Sequence, residues 1–487
     1  MNLSKSKYCK AVQCKKMLWL DKYKKEVKEE IDNESVLENG TNVGELAKKL
    51  FGKYIDIEFN NDLNKMIDDT KIALKNDKVI ITEASFVYNN NFCSVDILKK
   101  DGDKYEMYEV KSSTHISDIY LDDISYQYYV LTSLGLNITK ASIVYINSSY
   151  VRQGELELDK LFKIKDLTDI VISKQEEVAR RILELESVMK SKKEPKVDLG
   201  NQCFSPYDCP FFKYCSRHLP EKNVFDIKGL YLNKKVEYYK KGIISYEDLI
   251  NSDISNKYKE VIDFELNDKE DKINSEEIKK FLKSLYYPIY YLDFESYQES
   301  VPSYDGISPY MQVPFQYSLH IENIDGTLNH KEFLAEGGID PRRVLAERLV
   351  KDIPKDSCVL AYNMSFEKRV IKYLAGLYED LSDNLMNIHD NIKDLMIPFQ
   401  NRSYYSKNMH GSYSIKYVLP SLYPDDPSLD YHNLSMVHNG SEASDSYFKL
   451  STLSGAELKK LRENMLKYCG LDTYAMVKVL KKLKDSI

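Results

Sequence analysis

The chain has 487 residues, of which 43% are hydrophobic and 30% are charged, and its formal net charge is −7. This is an ordinary globular composition with room for two or three domains, and no apolar run approaches the ~20 residues that span a membrane. The N-terminus leads into no apolar signal core, so we expect a cytoplasmic chain without a membrane partner. The negative charge does not by itself predict a nucleic-acid partner, although acidic metal sites also add negative charge.

The first part of the chain is predicted to form an α/β domain. Helices are expected at 17–20, 44–51 and 65–75, and a strand at 79–88. Two strands, 92–98 and 105–112, then form a hairpin, because an Asp-Gly turn signal lies between them. A helix at 118–134, a strand at 141–147 and a long charged helix at 167–189 follow. This order favours an α/β sheet with its site at the central hairpin.

Three charged side chains of the hairpin are the first candidate site. Glu109 and Lys111 are two residues apart in one strand, so their side chains leave the same face. Asp96 lies in the partner strand and can face them across the ladder. Two carboxylates and a lysine in one place are costly for folding unless a divalent ion binds between the acids and a phosphate lies beside the lysine. The alternative is that these residues form the solvated face of the hairpin.

Cysteine spacing indicates a second kind of metal site. The eight cysteines of a reduced chain are unlikely to form structural disulfides. Cys203, Cys209 and Cys215 are spaced C-x5-C-x5-C, which leaves a cluster or a zinc ion one ligand short. Cys14 or Cys9 could supply that ligand, which would join the first and last segments of the domain. Both a [4Fe–4S] cluster and zinc are compatible with four cysteines.

Together, these motifs resemble those of RecB-like PD-(D/E)XK nucleases with an iron–sulfur staple. Such nucleases occur in CRISPR adaptation and in the AddB subunit of recombination helicase–nucleases. The resemblance implies that Asp96 and Glu109 hold Mg²⁺ or Mn²⁺ and that Lys111 and Gln127 complete the catalytic site. It also implies a [4Fe–4S] cluster, with zinc as the alternative, on Cys14, Cys203, Cys209 and Cys215. The sequence departs from the family in the wider spacing of its late cysteines. It also has Lys48 where the first helix often carries a histidine, with Glu45 as a weak substitute.

The last part of the chain contains a second set of acidic motifs. After a charged, helical stretch, an apolar strand at 288–296 ends in Asp293 and Glu295, whose i, i+2 spacing places both carboxylates on one side. Further strands are predicted at 312–321 and 357–362. A helix running through residue 373 begins near Glu367, and a final helix at 457–482 carries Tyr468 and Asp472 one turn apart.

These motifs resemble the D-x-E, N-x-x-F-D and Y-x-x-x-D motifs of DnaQ-like (DEDD) 3′–5′ exonucleases, which have the ribonuclease H fold. The resemblance implies that Asp293, Glu295, Glu367 and Asp472 bind two divalent ions and that Tyr468 orients the attacking water. Glu367 replaces the usual aspartate, and Asp394 is a spare candidate. Four carboxylates around two ions ~4 Å apart can stabilise both the attacking and the leaving oxygen.

The two resemblances imply a fusion known from an uncharacterised bacterial family. The predicted fold is α/β, with a PD-(D/E)XK restriction-endonuclease-like domain at 1–220, a helical connector at 221–285 and a ribonuclease H-like exonuclease domain at 286–487. The expected function is metal-dependent hydrolysis of DNA ends or single strands in repair or defence. A non-catalytic nucleic-acid-binding scaffold and an RNA exonuclease are the alternatives.

Overall fold

A computed structural model describes residues 3–30, 34–429 and 431–487, without the side chains of 34–39 and 432. It shows a mixed α/β protein, as the sequence predicts. By their contacts, the residues form two compact units, Met1–Leu219 with Glu299–Met311 and Pro220–Gln298 with Gln312–Ile487. The helices of the predicted connector therefore belong to the second unit. Among the described residues, no helix is both long and apolar enough to cross a membrane.

The first unit contains seven strands and nine α-helices within its described residues. The strands are β1 (Leu3–Ser4), β2 (Ile55–Asp56), β3 (Lys78–Tyr88), β4 (Asn91–Asp101), β5 (Lys104–Lys111), β6 (Asn137–Ile146) and β7 (Phe162–Asp166). The helices are α1 (Lys5–Gln13), α2 (Lys15–Tyr23), α3 (Glu34–Ala47), α4 (Leu63–Ala73), α5 (Asp118–Ser133), α6 (Leu158–Leu161), α7 (Thr168–Ser173), α8 (Gln175–Lys190) and α9 (Phe212–Ser216).

The strands of the first unit form one sheet in the order β2-β3-β4-β5-β6-β7. β3, β4 and β5 are antiparallel neighbours, whereas β6 is parallel to β5. The β4–β5 ladder ends at the pair Ile97–Tyr108, and β1 pairs with the beginning of β4. A fork therefore opens between β4 and β5 next to Asp96 and Glu109.

Both faces of this sheet are covered, because successive strand side chains point to opposite sides. Leu98 and Met107 pack in a core with residues of α4, α5 and α8. Ile97 and Tyr108 pack in a second core with residues of α3. The Ser4 side chain accepts a hydrogen bond from the Lys7 amide and caps α1, which places Lys5 in the first helical turn.

The segment Glu299–Met311 follows β9 of the second unit in sequence but packs in the first unit. The Arg152 guanidinium donates to the Pro302 carbonyl at 2.9 Å, and the Gly154 amide donates to Asp305 Oδ1 at 2.8 Å. The Tyr310 hydroxyl donates to the carbonyl of Ser112, the residue after Lys111.

The second unit contains seven strands and eleven α-helices in its described part. The strands are β8 (Lys272–Ile273), β9 (Ile289–Tyr297), β10 (Val313–Glu322), β11 (Leu328–Leu334), β12 (Cys358–Ala361), β13 (Ile392–Asp394) and β14 (Tyr404–Tyr405). The helices are α10 (Leu232–Lys240), α11 (Tyr246–Ile250), α12 (Asn256–Leu266), α13 (Ser275–Leu282), α14 (Arg342–Asp352), α15 (Ser365–Leu377), α16 (Glu379–Asn391), α17 (Ile397–Gln400), α18 (Ile415–Leu422), α19 (Gly440–Lys449) and α20 (Gly455–Asp485).

The main sheet of the second unit has the order β11-β10-β9-β12-β13, and β8 and β14 form a separate pair. β9 is central, antiparallel to β10 and parallel to β12. One face buries Leu292, Phe294 and Leu319 against α14, α15 and α16. α20 packs against β9 and β10. Because side chains alternate along β9, Asp293 and Glu295 leave the face opposite to Leu292 and Phe294.

Candidate metal centres

The residues predicted for the first acidic site meet at the fork between β4 and β5. The Val110 amide donates to Asp96 Oδ2 at 2.7 Å, which holds the Asp96 carboxylate against β5 beyond the last ladder pair. Lys111 Nζ donates to Glu109 Oε1 at 2.7 Å, and Gln127 Nε2 donates to Glu109 Oε2 at 2.6 Å. The structure thus brings Asp96, Glu109, Lys111 and Gln127 into one hydrogen-bonded cluster.

Two further side chains of this cluster are absent from the sequence prediction. Lys5 Nζ lies 3.1 Å from Asp96 Oδ1 and 3.0 Å from Glu109 Oε1. Asp123 Oδ2 lies 2.7 Å from Lys111 Nζ, and its Oδ1 accepts a hydrogen bond from Gln127 Nε2 at 3.0 Å. The i, i+4 spacing of Asp123 and Gln127 was a usable signal, because it places both side chains on one face of α5. No local signal points to Lys5, whose position depends on the pairing of β1 with β4.

The charges of the cluster are nearly balanced. Burial and the neighbouring Asp96 carboxylate oppose ionisation of Glu109, but Lys111 and Lys5 outweigh them, so the pKa of Glu109 is below its ordinary value. Burial opposes protonation of Lys5, yet the carboxylates of Asp96 and Glu109 raise its pKa well above the ordinary value. Lys5 therefore holds a positive charge between the two carboxylates, the position that a divalent cation takes in a metal site.

Glu83 is a third acid at the same place on the sheet. The pairs Thr82–Ile97 and Ala84–Val95 flank it and place it opposite Asp96. Its φ of 56° is rare for a non-glycine residue. Burial and the Asp96 carboxylate raise the pKa of Glu83 to about 7. Sequence reasoning placed Glu83 in a strand but did not connect it with the hairpin acids.

The residues considered in place of the missing histidine pair with each other. Lys48 Nζ lies 2.7 Å from Glu45 Oε1 and 3.0 Å from Asp56 Oδ1. Glu45 is thus held in an ion pair on α3.

The four predicted cysteine ligands line one cavity. Cys14, Cys203, Cys209 and Cys215 surround it together with apolar residues that include Met17 and Phe211. Cys14 lies between α1 and α2, and packing of α2 against α8 positions it beside the late segment. Cys9 instead packs in the main core, where Asp123 and Lys111 act on its thiol. Cys14, and not Cys9, therefore joins the late cysteines.

Four thiols around one cavity are a donor set that could hold either a [4Fe–4S] cluster or a zinc ion.

The predicted acids of the second unit gather between β9, α15 and α20. One ligand atom each from Asp293, Glu295 and Cys469 lies within 4.8 Å of the other two. Burial is the main cause that raises the pKa of Asp293, and the carboxylates of Asp472, Glu295 and Glu367 add to it. Burial also raises the pKa of Asp472 to about 6. Both carboxylates are thus buried, and three other carboxylates lie near enough to Asp293 to disfavour its charged form.

Glu367 and Asp394 have different roles at this pocket. Asp394 accepts hydrogen bonds from the amides of Asn363, Met364 and Met396, at 2.9, 3.3 and 2.9 Å, so it fixes the turn that leads into α15. Glu367 lies in the first turn of α15, and burial and Asp394 raise its pKa to about 8. Its buried Oε2 has no hydrogen-bond partner among the described residues. Glu367 is therefore the available carboxylate, whereas Asp394 is already bonded.

Tyr468 is buried on α20, one helical turn before Asp472. The hydroxyl of Tyr431 donates to Asp472 Oδ1 at 2.7 Å, and the ring of Tyr431 lies edge-on to that of Tyr468 at 6.2 Å between centroids. The Lys416 charge acts on Glu295 and Asp472. The sequence prediction does not include Tyr431, Lys416 or Cys469. Tyr431 and Lys416 lie outside every recognised motif, whereas Cys469 directly follows Tyr468, and this position was a usable signal.

Comparisons with known proteins match parts of the chain. Residues 290–414 match a family model described as "Domain of unknown function (DUF2779)". This range includes Asp293, Glu295 and Glu367 and ends before Tyr468. Over 219 residues the chain is 29% identical to "Uncharacterized protein UU173" of Ureaplasma parvum serovar 3. That match covers 40% of this chain and 31% of the relative, so the chain spans less than a third of the relative's length.

Proposed function

We propose that this protein is a metal-dependent nuclease that hydrolyses phosphodiester bonds of DNA, at ends or in single strands, in repair or defence. One observation carries the proposal. Asp293, Glu295, Glu367 and Asp472 come from three separate elements and lie in one pocket, where burial raises the pKa of each and repulsion within the set adds to the shifts of Asp293 and Glu295. Such crowding destabilises the fold unless the pocket binds cations, and two divalent ions among four carboxylates suit phosphodiester hydrolysis.

The second unit would be a DnaQ-like exonuclease domain of the ribonuclease H type. In support, the central strand β9 carries the D-x-E motif and α20 packs across it with Tyr468 and Asp472. Bound Mg²⁺ or Mn²⁺ would supply charge for the attacking and leaving oxygens. The four carboxylates would hold these ions, and the Tyr468 hydroxyl would orient the attacking water. The Tyr431 hydroxyl, which donates to Asp472 Oδ1, fixes the orientation of that carboxylate.

The first unit would be a RecB-like PD-(D/E)XK nuclease domain. Asp96 and Glu109 would hold a divalent ion, and Lys111 would face the phosphate. Gln127 orients Glu109 through its 2.6 Å hydrogen bond. The cysteine cavity would hold a [4Fe–4S] cluster, with zinc as the alternative, and the lining of one cavity by all four cysteines supports such a site. The cluster would act as a structural link between Cys14 and the segment that contains the other three cysteines.

The position of Lys5 supports a second candidate function for the first unit. Its ammonium group contacts both Asp96 and Glu109 at 3.0–3.1 Å, in the place of the divalent ion. An ammonium fixed there would exclude the metal, and the first unit would then bind nucleic acid without cleaving it. In that case all hydrolysis would come from the second unit.

A nuclease assay with matched variants tests the proposal. Single-stranded DNA and RNA of one sequence, labelled at the 5′ end, are incubated with the protein in Mn²⁺ or Mg²⁺. We expect progressive shortening from the 3′ end of DNA, abolished in Asp293→Ala and retained in Asp383→Asn, which changes an exposed acid of α16. Shortening that persists in Asp293→Ala would contradict the assignment. Faster shortening of RNA would change the substrate class.

A further inference from the structure

Cys469 brings a thiol into the acidic pocket of the second unit. It is fully buried on α20, beside Tyr468, and its Sγ lies 3.9 Å from Asp293 Oδ2. Zinc bonds of about 2.3 Å to sulfur and about 2.1 Å to oxygen give an S···O separation of about 3.6 Å in a tetrahedral site. The ligand atoms of Asp293, Glu295 and Cys469 all lie within 4.8 Å of one another, so they need to close by at most about an ångström to share one ion.

Glu367 provides a second, independent observation, a buried carboxylate oxygen without a hydrogen-bond partner. Glu367 is 2% exposed, and its Oε2 has no hydrogen-bond partner in the described part of the chain. The negative charge of Glu367 helps to raise the pKa of Asp293, so the two carboxylates lie near each other. A buried carboxylate oxygen without a partner is costly, and a bound cation would satisfy it.

We propose that Asp293, Glu295 and Cys469 form a site for zinc, which competes there with the hard ions Mg²⁺ and Mn²⁺. Mg²⁺ takes oxygen ligands and leaves a thiol uncoordinated, whereas zinc binds thiolate sulfur together with carboxylate oxygen. On binding, the S–H bond of Cys469 breaks, its electron pair goes to zinc, and the proton passes to solvent. Zinc is then a reversible inhibitor of hydrolysis. The inhibition, but not the zinc binding, rests on the proposed function.

Zinc titration calorimetry of the full chain tests the binding. Wild type, Cys469→Ser and Cys358→Ser are each prepared anaerobically with the cysteine cavity filled. Cys358 is a buried thiol of β12, outside the pocket, and serves as the matched control. We expect wild type and Cys358→Ser to bind one more zinc ion than Cys469→Ser, or to bind it at least tenfold more tightly. Equal stoichiometry and affinity in all three proteins would overturn the proposal.

A spectroscopic and a kinetic measurement complete the test. Co²⁺ added in place of zinc should give a sulfur-to-metal charge-transfer band that Cys469→Ser lacks and Cys358→Ser keeps; identical spectra would overturn the proposal. In Mg²⁺, zinc should inhibit wild type at a concentration at least tenfold lower than it inhibits Cys469→Ser, each measured against its own zinc-free rate. If calorimetry shows no difference in zinc binding between wild type and Cys469→Ser, zinc binding at this site is overturned. If that difference is present but wild type and both variants hydrolyse no DNA, only the proposed function is overturned.

Discussion

Lys5 Nζ lies 3.0 Å from Glu109 Oε1, inside the acidic cluster of the first unit. The lysine is placed there by the pairing of β1 with the distant strand β4 and by the Ser4 cap of α1. Its ammonium neutralises a carboxylate that is only 1% exposed. A divalent cation would do the same, so a metal ion at the proposed site would compete with the lysine for one position.

Replacement of Lys5 should make the protein less stable without divalent ions and should make its stability depend more strongly on them. Without divalent ions, Lys5→Met should lower the free energy of unfolding by about 1–3 kcal/mol, because Glu109 loses one of its buried partners. Mn²⁺ should then raise the melting temperature of Lys5→Met more than that of wild type. Lys10→Met, at an exposed position of α1, is the control. Equal Mn²⁺-dependent shifts in all three proteins would show that Lys5 does not occupy a metal position.

Gln127 should stabilise the first cluster through its two hydrogen bonds. Gln127→Leu would remove the donor to the buried Asp123 Oδ1 and one of the donors to Glu109 Oε2, which would keep its hydrogen bond from Lys5 Nζ at 3.2 Å. We expect a loss of about 2–3 kcal/mol in the free energy of unfolding, measured with urea. Gln153→Leu, at an exposed position of the same unit, should change it by less than about 0.5 kcal/mol. A similar small change in Gln127→Leu would mean that the hydrogen bonds contribute little.

The four-cysteine cavity predicts the metal content of the purified protein. Anaerobically purified wild type should be brown and contain about four irons per chain, as a [4Fe–4S] cluster requires. Cys14→Ser should lose the iron and its absorption, whereas Cys9→Ser should keep both, because Cys9 lies in the main core. One tightly bound zinc per wild-type chain, or loss of iron in Cys9→Ser alone, would contradict this assignment.

The hairpin at the first site was predictable because its signals are local. Gly102 has a φ of 61°, as the turn requires, and the alternation on either side fixes β4 and β5. The same holds for Asp293 and Glu295, whose i, i+2 spacing in β9 decides that they share a face. By contrast, the long helix expected at 167–189 is two helices, α7 and α8, that meet at Lys174. The edge strand β7 was not predicted, because most of its side chains are exposed.

Contacts between distant segments could not be predicted from the sequence. Lys5 and Tyr431 reach their sites through tertiary packing, so no short motif announces them. The sequence also could not predict that Glu299–Met311 packs in the first unit, because this segment lies between two strands of the second unit along the chain. The metal-binding role of Glu367 stays a prediction, and Asp394, the alternative, is already bonded to three amides.

His320 should make the second unit lose stability in mild acid. Burial, with a smaller effect from His330, lowers the pKa of His320 to about 4. In the unfolded chain the histidine has a pKa of about 6.5, so it takes up its proton at a higher pH than in the folded protein. The free energy of unfolding should therefore decrease as the pH is lowered from 6.5 to 4, by up to about 3 kcal/mol. The free energy of unfolding of His320→Gln should fall less over this window than that of wild type. Parallel curves for wild type, His320→Gln and the control His389→Gln would contradict the prediction.

The central claim is that the carboxylates of the second unit hold divalent ions. The most direct measurement is anomalous scattering from crystals of the protein soaked in Mn²⁺. The account predicts two peaks, ~4 Å apart, among Asp293, Glu295, Glu367 and Asp472, and their loss in Asp293→Asn. Crystals of wild type that bind Mn²⁺ elsewhere but show no peak between Asp293 and Asp472 at saturating metal would contradict it.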